Sequence, residues 1–285
     1  MPPSFTLDLP ITHRYLRLPV KNGAPLVTAR LMLGAQMARE FSIELAQDDP
    51  IDWWAFYNVS AFQGQALRLE LENADPAALD WLAETIHLSD AALEAGDLYH
   101  ERFRPQFHYT ARRGWNNDPN GMVYHRGQWH LFYQHNPFGT GWGNMHWGHA
   151  ASPDLVHWQE LDEALYQRAL GDMAFSGGGL VDHANTAGFQ HGEEPPLVVA
   201  FTSTGRGEFL AYSNDNTETI YPAVKPALSF RLARRDVTAL IAGQAIIRFE
   251  GRRQYAELWQ GNISADFQAG LEVGYKRAAF GRVGY

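Results

Sequence analysis

The chain has 285 residues, a formal net charge of −9 and no cysteine. The lack of cysteine excludes a disulfide framework and a thiolate metal site, and a hydrophobic content of 45% is enough for one large domain or two ordinary ones. The acidic excess lies in residues 1–216, with 13 Lys+Arg against 26 Asp+Glu, which argues against nucleic acid as a partner.

Residues 1–95 are predicted to form a small β-sandwich-like N-terminal module that ends in a short helical connector. Strand candidates with alternating or aromatic residues lie at 15–20, 41–45, 53–59 and 66–72. Asp75 before Pro76 predicts a helix start, since a carboxylate caps the first turn and proline suits the first helical position. Leu79, Leu82 and Ile86 give this helix an apolar face, and residues 89–96 predict one or two further helical turns.

From residue 101 onward, short strands rich in aromatic residues are separated by Gly, Asn, Asp and Pro. The strand candidates are 122–125, 128–134, 145–150, 196–202 and 209–213. The pair Arg126-Gly127 is typical of a tight hairpin. Strands that follow one another without helices predict an all-β barrel, sandwich or propeller, and periodicity does not choose among these.

One short motif, residues 115–121 (Trp-Asn-Asn-Asp-Pro-Asn-Gly), has two interpretations. Asp-Pro and Asn-Gly are strong turn dipeptides, so the motif by itself predicts a simple turn. A carboxylate on a tight loop, flanked by amide side chains and an indole, is also what glycoside chemistry needs. Asp118 is then a nucleophile held close to an anomeric carbon.

Further blocks lie before and after this motif in a fixed order, and together they resemble glycoside hydrolase family 32, the invertases, levanases, inulinases and other β-fructosidases. The blocks are residues 104–108, 115–121, 131–137, 142–150, 152–158, 174–178 and 211–215. The resemblance covers residues 101–216. It implies a five-bladed β-propeller with the active site in its central funnel, so the predicted fold is all-β: a partial propeller preceded by the N-terminal module.

The resemblance also implies roles for single residues. Asp118 is the expected nucleophile, and the expected contacts of the terminal fructosyl unit are Asn117, Gln134, Trp142, Phe175 and Ser176. Each contact also has a structural interpretation, with the aromatic rings as core and Ser176 as a turn residue. No cofactor and no metal are expected. His146 and His149 form a His-x-x-His pair that would suit a metal, but such histidines are structural in this family.

The family's second half is not recognisable after about residue 216. A retaining glycosidase needs a second carboxyl as acid/base, which this family carries in a Glu-Cys motif, and the chain has no cysteine. Glu250 and Glu257 do not fit that motif, and Arg235-Asp236-Val237 lacks the proline of the family's Arg-Asp-Pro motif. Residues 217–285 therefore stay unassigned, and a frameshift or a rearranged gene is one hypothesis for them. An incomplete propeller would expose strand edges, which predicts poor solubility.

Three functions are left open. The first is a retaining hydrolase that releases fructose from sucrose or β-fructans. The second is a catalytically incomplete, fructan-binding pseudo-enzyme or the product of a damaged gene, and the third is a different propeller glycosidase such as an arabinan-cleaving enzyme. The expected partner is sucrose or a fructan, with neither nucleic acid nor membrane, and the oligomeric state is undetermined. Without a signal-peptide pattern a cytoplasmic location is expected, unless the start is misassigned.

Overall fold

The computed structural model describes residues 5–92 and 98–214, and the backbone alone of short strands within 221–249. Contacts between residues divide the chain into two compact units. Unit 1 comprises Met1–Pro119 and Phe132–Ala174, and unit 2 comprises Asn120–Leu131 and Phe175–Tyr285. This division follows packing rather than chain order, and the predicted domains 1–95, 101–216 and 217–285 stay predictions.

The N-terminal part of unit 1 consists of two antiparallel sheets. Its elements are β1 (Phe5–Pro10), β2 (Tyr15–Val20), β3 (Val27–Leu33), β4 (Gln36–Ile43), β5 (Trp53–Asn58), a 3-10 turn (Ser60–Phe62), β6 (Ala66–Glu72), a second 3-10 turn (Pro76–Ala78), α1 (Leu79–Thr85) and β7 (His87–Ser89). The strand orders are β1-β6-β3-β4 and β5-β2-β7. The predicted strand at 41–45 is the second half of β4, which begins earlier than expected.

Alternating apolar residues form the core of this region. In β6 the residues Leu67, Leu69 and Leu71 are buried, while their neighbours face outward. A period of two places these leucines on one face of the sheet, where each buried side chain contributes about 1.5–3 kcal/mol. The same core includes Phe138, which is far away in the chain, so this core extends beyond the N-terminal residues.

The predicted helix is confirmed, whereas residues 89–92 are not helical, so the first part of the helical turns predicted at 89–96 is wrong. Asp75 accepts a hydrogen bond from Ala77 N at 2.8 Å, and the 3-10 turn leads into α1. Residues 87–89, in contrast, form strand β7, which pairs with β2. Pairing with an open strand edge outweighs the weak local helix preference here. Residues 93–97 lie outside the described residues.

The second half of unit 1 belongs to a four-stranded sheet whose first two strands continue into unit 2. Its strands are β8 (Trp115–His125), β9 (Gln128–Asn136), β10 (His146–Ser152) and β11 (Gln159–Leu165), in the order β11-β10-β9-β8. Arg126 and Gly127 have φ angles of 48° and 82°, as a two-residue hairpin requires, so the predicted turn is confirmed.

The tight loop predicted at residues 115–121 is wrong, because this segment is part of strand β8. Two physical effects favour the extended chain. The residue before a proline is restricted to extended backbone, which applies to Asp118 before Pro119. The neighbouring strand β9 also supplies hydrogen-bond partners along this side of the sheet.

Unit 2 contains a further four-stranded sheet and a three-stranded sheet. The strands are β12 (Ala174–Val181), β13 (Leu197–Ser203), β14 (Gly207–Ser213), β15 (Tyr221–Pro222), β16 (Ala227–Leu232), β17 (Arg235–Ile241) and β18 (Ala245–Phe249). They form sheets in the orders β12-β13-β14-β15 and β16-β17-β18. The fold is therefore all-β, as predicted, and its four-stranded antiparallel sheets are consistent with blades of a partial propeller. Within the described residues, the only α-helix has seven residues, which is too short to cross a membrane.

Candidate active site

Asp118 and Asn117 lie in the first half of β8, and both side chains are exposed. The strand is exposed from residue 116 to residue 119, and it is buried again at Asn120. β8 is also the edge strand of its sheet. The predicted nucleophile therefore lies in regular strand backbone, at an accessible edge of the sheet.

Gln134 lies in the neighbouring strand β9 and is 3% exposed. Its Nε2 donates a hydrogen bond to the backbone oxygen of Ala174 at 3.1 Å, and Ala174 N donates to Met145 O at 3.0 Å. One amide N–H of Gln134 thus holds the residue that directly precedes Phe175. The predicted sugar contact at Gln134 is buried and also has a structural bond.

Trp142 lies in the connection between β9 and β10, and its side chain is 62% exposed. An exposed indole on the surface is what stacking against a sugar face requires, whereas a core role would bury the ring. The structural interpretation of Trp142 as core is therefore wrong for the described chain.

Phe175 and Ser176 follow Ala174 in β12 and belong to unit 2, where Phe175 is half-buried and Ser176 is exposed. The glycines that come next allow close backbone approach. A Cβ atom on Gly177 would overlap the carbonyl oxygen of Ala200 in β13, and one on Gly121 would lie 3.0 Å from Gly179 N. The first contact explains why a glycine follows Ser176 directly, and the second places the start of the unit 2 part of β8 beside β12.

Asp118, Asn117, Gln134 and Trp142 are therefore in unit 1, while Phe175 and Ser176 are in unit 2. The roles given to these residues stay predictions. The fully buried side chain of Asn120, in unit 2, was not singled out by the sequence. Neither atom of its carboxamide has a hydrogen-bond partner among the described residues.

The two histidines of the His-x-x-His motif are buried and pack against aromatic side chains. The ring of His146 donates from Nδ1 to Asn144 O at 2.6 Å, and its Nε2 lies 3.3 Å from the Tyr57 hydroxyl. The ring of His149 stacks on Phe132 with centroids 4.6 Å apart. Among the described residues, no cluster of three or more His, Asp or Glu side chains that could hold a metal is found.

Three carboxylates lie on β11, at the edge of the sheet opposite to β8, and all three are engaged. Glu160 accepts from Tyr109 at 3.1 Å, Asp162 accepts from Tyr15 at 2.9 Å, and Glu163 lies 3.5 Å from the ring of His135. Burial and the nearby Tyr133 and Glu160 raise the pKa of Tyr109 well above its usual range, so that phenol stays protonated and donates. These carboxylates form a structural network, which speaks against an acid/base role.

The pKa of Glu208 on β14 is raised by burial, and hydrogen bonds from Thr202 lower it only in part. A raised pKa is needed in a general acid, but β14 is two strands away from β12 in its sheet. Glu250 and Glu257 lie outside the described residues, as do the side chains of Arg235 and Asp236.

A comparison with protein families gives one match. Residues 108–233 match the model of the glycosyl hydrolases family 32 N-terminal domain. This segment, which we call the family 32 segment, is similar to glycosyl hydrolase family 32. The matched range extends past residue 216, where the recognisable blocks were predicted to end.

Curated relatives of this family 32 segment include a levanase, an exo-inulinase and an invertase. A levanase of Bacillus subtilis (strain 168) is 52% identical over 124 residues, which cover 42% of this chain and 18% of the levanase. An extracellular exo-inulinase of Aspergillus niger is 40% identical over 152 residues, covering 46% and 28%. An invertase of Schwanniomyces occidentalis is 46% identical over 106 residues, covering 35% and 20%. The chain thus spans less than a third of the length of these relatives.

Solved structures of the same family are also similar to the chain. The exo-inulinase of Aspergillus awamori aligns with a TM-score of 0.43 and 31% identity, over 50% of this chain and 36% of that one. A fructofuranosidase of Schwanniomyces occidentalis in complex with fructosylnystose aligns with a TM-score of 0.44 and 30% identity, over 52% and 34%.

Proposed function

We propose that the family 32 segment carries the nucleophile and part of the fructosyl pocket of a retaining β-fructosidase, which releases fructose from sucrose or from β-fructans such as levan and inulin. The observation that carries this proposal is the motif at residues 115–121, which lies within the segment 108–233 that matches the family 32 model. The exposed position of Asp118 on β8 supports it, because a nucleophile must be accessible to its substrate.

In the proposed reaction, an oxygen of Asp118 attacks the anomeric C2 of the fructosyl unit, and the bond from C2 to the leaving oxygen breaks. A separate carboxylic acid gives its proton to the leaving oxygen. Water then attacks C2 of the fructosyl ester, the same carboxylate takes the proton of that water, and Asp118 is released with retention of configuration. The residue that serves as acid/base is not identified among the described carboxyls.

The amide of Gln134 offers both donor and acceptor groups to sugar hydroxyls, and Asn117 offers the same beside the nucleophile. Trp142 would form an exposed aromatic wall of the pocket. Phe175 and Ser176 complete the proposed set of contacts by resemblance to the family. No metal or organic cofactor takes part in this mechanism.

The direct test compares the purified chain with its Asp118→Asn variant on sucrose, levan and inulin, with released fructose as the measured product. The amide is nearly isosteric with the carboxylate but a far weaker nucleophile, so we expect a loss of about a thousandfold or more in kcat with substrate binding retained. Equal activity of the two proteins on all three substrates would show that Asp118 is not the nucleophile.

A second candidate, a fructan-binding pseudo-enzyme, is favoured because none of the described carboxyls is identified as the acid/base. The two candidates differ in their behaviour toward a substrate that needs no acid. β-D-Fructofuranosyl fluoride has a good leaving group, so its cleavage needs the nucleophile but little protonation. Turnover of the fluoride that depends on Asp118, without turnover of sucrose, identifies a chain with an intact nucleophile and no acid. Binding of fructans without turnover of either substrate identifies the pseudo-enzyme.

A further inference from the structure

The loop between β9 and β10, residues 137–145, carries the exposed Trp142 and is attached to the N-terminal sheets on both sides of that residue. We call it the Trp142 loop. The contacts between this loop and the N-terminal sheets lie within unit 1. Through them the N-terminal region can affect the proposed sugar site without touching the sugar.

The first attachment is the side chain of Asn144, which binds the backbone of β4 as a neighbouring strand would. Asn144 Oδ1 accepts from Ser42 N at 2.9 Å, and Asn144 Nδ2 donates to Ser42 O at 2.8 Å. β4 is the edge strand of its sheet, so these backbone groups have no strand on that side. The carboxamide satisfies both groups of one edge residue, and this fixes the loop to β4.

The second attachment is the ring of Phe138, which is inserted into the core of the N-terminal sheets. The ring is 1% exposed and stacks on Phe41 of β4 with centroids 3.9 Å apart and planes inclined by 8°. Its edge contact with Tyr57 has a centroid distance of 4.8 Å. Aromatic pairs of this kind contribute about 0.5–1.5 kcal/mol beyond the burial of their area.

Asn136, at the end of β9, connects the two attachments inside the loop. Its Oδ1 accepts from Phe138 N at 3.1 Å and from Asn144 Nδ2 at 3.0 Å, and its Nδ2 donates to Gly141 O at 2.9 Å. The backbone is therefore held at the residue before Trp142 and again two residues after it. The indole itself stays open to solvent.

We propose that the N-terminal sheets position the sugar-binding surface: strand β4 fixes the Trp142 loop so that the indole is already in place when a fructosyl substrate arrives. Phe41, Phe138, Asn136 and Asn144 are the positioning residues. A loop that is already ordered in the folded chain loses no conformational entropy when the substrate binds, so the substrate binds more tightly than it would to a disordered loop. The proposal rests on the proposed function for its substrate, but the attachment of the loop can be measured without any substrate.

The substrate-independent test is hydrogen exchange of the full chain, compared with two variants that have matched changes in volume. Phe41→Leu removes the ring under Phe138. Leu69→Val is the control, since Leu69 is fully buried in β6 and β3 lies between β6 and β4. We expect exchange by local opening of residues 137–145 to become about tenfold faster in Phe41→Leu and to stay unchanged in Leu69→Val, which affects only the unfolding of the whole unit. Asn144→Asp, which loses both amide N–H groups, should act like Phe41→Leu.

The substrate-dependent test uses the kinetics of fructose release by the same variants. Loss of a binding wall removes ground-state and transition-state contacts equally, so Phe41→Leu should raise KM about five- to tenfold with little change in kcat. If Phe41 acts through the indole, Phe41→Leu should have no further effect on KM in a Trp142→Ala background. If Phe41→Leu acted independently of the indole, its effect on KM would be the same in the wild-type and the Trp142→Ala background.

The outcomes separate the two proposals. Unchanged exchange of the loop in both Phe41→Leu and Asn144→Asp would overturn the positioning role. Faster exchange with an unchanged KM would overturn the link to the substrate. A wild-type chain that neither binds nor cleaves sucrose, levan or the fluoride overturns the proposed function, and the exchange experiment still decides whether β4 positions the loop.

Discussion

His146 is a residue whose ionisation is controlled by its surroundings. Burial lowers its pKa to about 3, and a backbone hydrogen bond at Asn144 offsets only part of this. Because Asn144 O can only accept, Nδ1 carries the proton and Nε2 accepts from the Tyr57 hydroxyl. The neutral ring thus connects the N-terminal sheets to the end of the Trp142 loop.

The stability of the chain should depend on pH through this residue. The folded pKa of His146 is below its unfolded value of 6.5, so the unfolded chain binds more protons between these two values. The contribution is fully present above pH 6.5 and is lost as the pH falls toward 3. The expected slope is up to about 1.4 kcal/mol of unfolding free energy per pH unit.

Urea unfolding of wild type and His146→Gln at pH 6.5, 5.5 and 4.5 measures this slope. We expect the wild type to lose more stability than the variant with each step down in pH. Burial lowers the pKa of His135, but the direct side-chain contact with Glu163 and the charges of Glu163 and Glu160 together raise it, so its contribution is lost only as the pH rises above 6.5. Parallel stability curves for the two proteins would show that His146 is not the responsible group.

Among the strands, β12 shows how a run of glycines supports close packing. Gly177 and Gly178 are adjacent, and only Gly177 faces the backbone of β13. A methyl group at Gly177 would force the two strands apart, whereas the same group at Gly178 would meet no atom within 4 Å. Neither residue has the positive φ that would itself disfavour alanine.

The pair Gly177→Ala and Gly178→Ala therefore tests the packing of unit 2 with a matched control. Gly177→Ala should lower the free energy of unfolding by roughly 1–3 kcal/mol, as overpacked substitutions do. Gly178→Ala should change it by less than about 0.5 kcal/mol, as is usual for substitutions without a clash. The measurement is the denaturation midpoint of each variant, and equal losses would contradict the described pairing of β12 with β13.

At the scale of the whole molecule, the N-terminal sheets and the strands β10 and β11 form one packed unit. Phe138, in the connection between β9 and β10, belongs to the same buried core as Leu69 and Tyr57. Polar contacts also join these two regions: Gln167 Nε2 donates to Glu40 O at 2.9 Å, and Leu170 N donates to Glu40 Oε2 at 3.0 Å. The N-terminal region and this part of the propeller segment should therefore unfold together.

Phe138→Ala tests this coupling, with Phe103→Ala as its control. Phe138 is 1% exposed and Phe103 is 84% exposed, so the same truncation leaves a cavity only in the first case. Phe138→Ala should cost about 3–5 kcal/mol. Phe103→Ala should cost less than about 0.5 kcal/mol. Hydrogen exchange should become faster both in β3–β4 and in β10–β11 of Phe138→Ala, and a change confined to one of these regions would show that they unfold separately.

The local sequence was sufficient to predict most strands and the family. Strand period, the Arg126-Gly127 hairpin and the Asp75 cap depend on interactions between near neighbours, and these act wherever the segment lies. The strand at residues 115–121 was missed because the turn dipeptides dominate locally, while the pairing with β9 that extends this segment is a tertiary contact. For the same reason residues 87–89 form a strand rather than a helix.

The sequence by itself was enough to predict the all-β class and the family 32 motifs, and to propose the carboxylate of Asp118 and the candidate sugar contacts. Tertiary structure alone decided which side chains are available for that chemistry. It exposes Trp142, buries Gln134, and gives Asn144 and Phe138 a role in the contact with β4. The contacts of Asn144 with β4 join residues about 100 positions apart in the chain. No local pattern encodes such contacts, because their free energy exists only once both partners are folded.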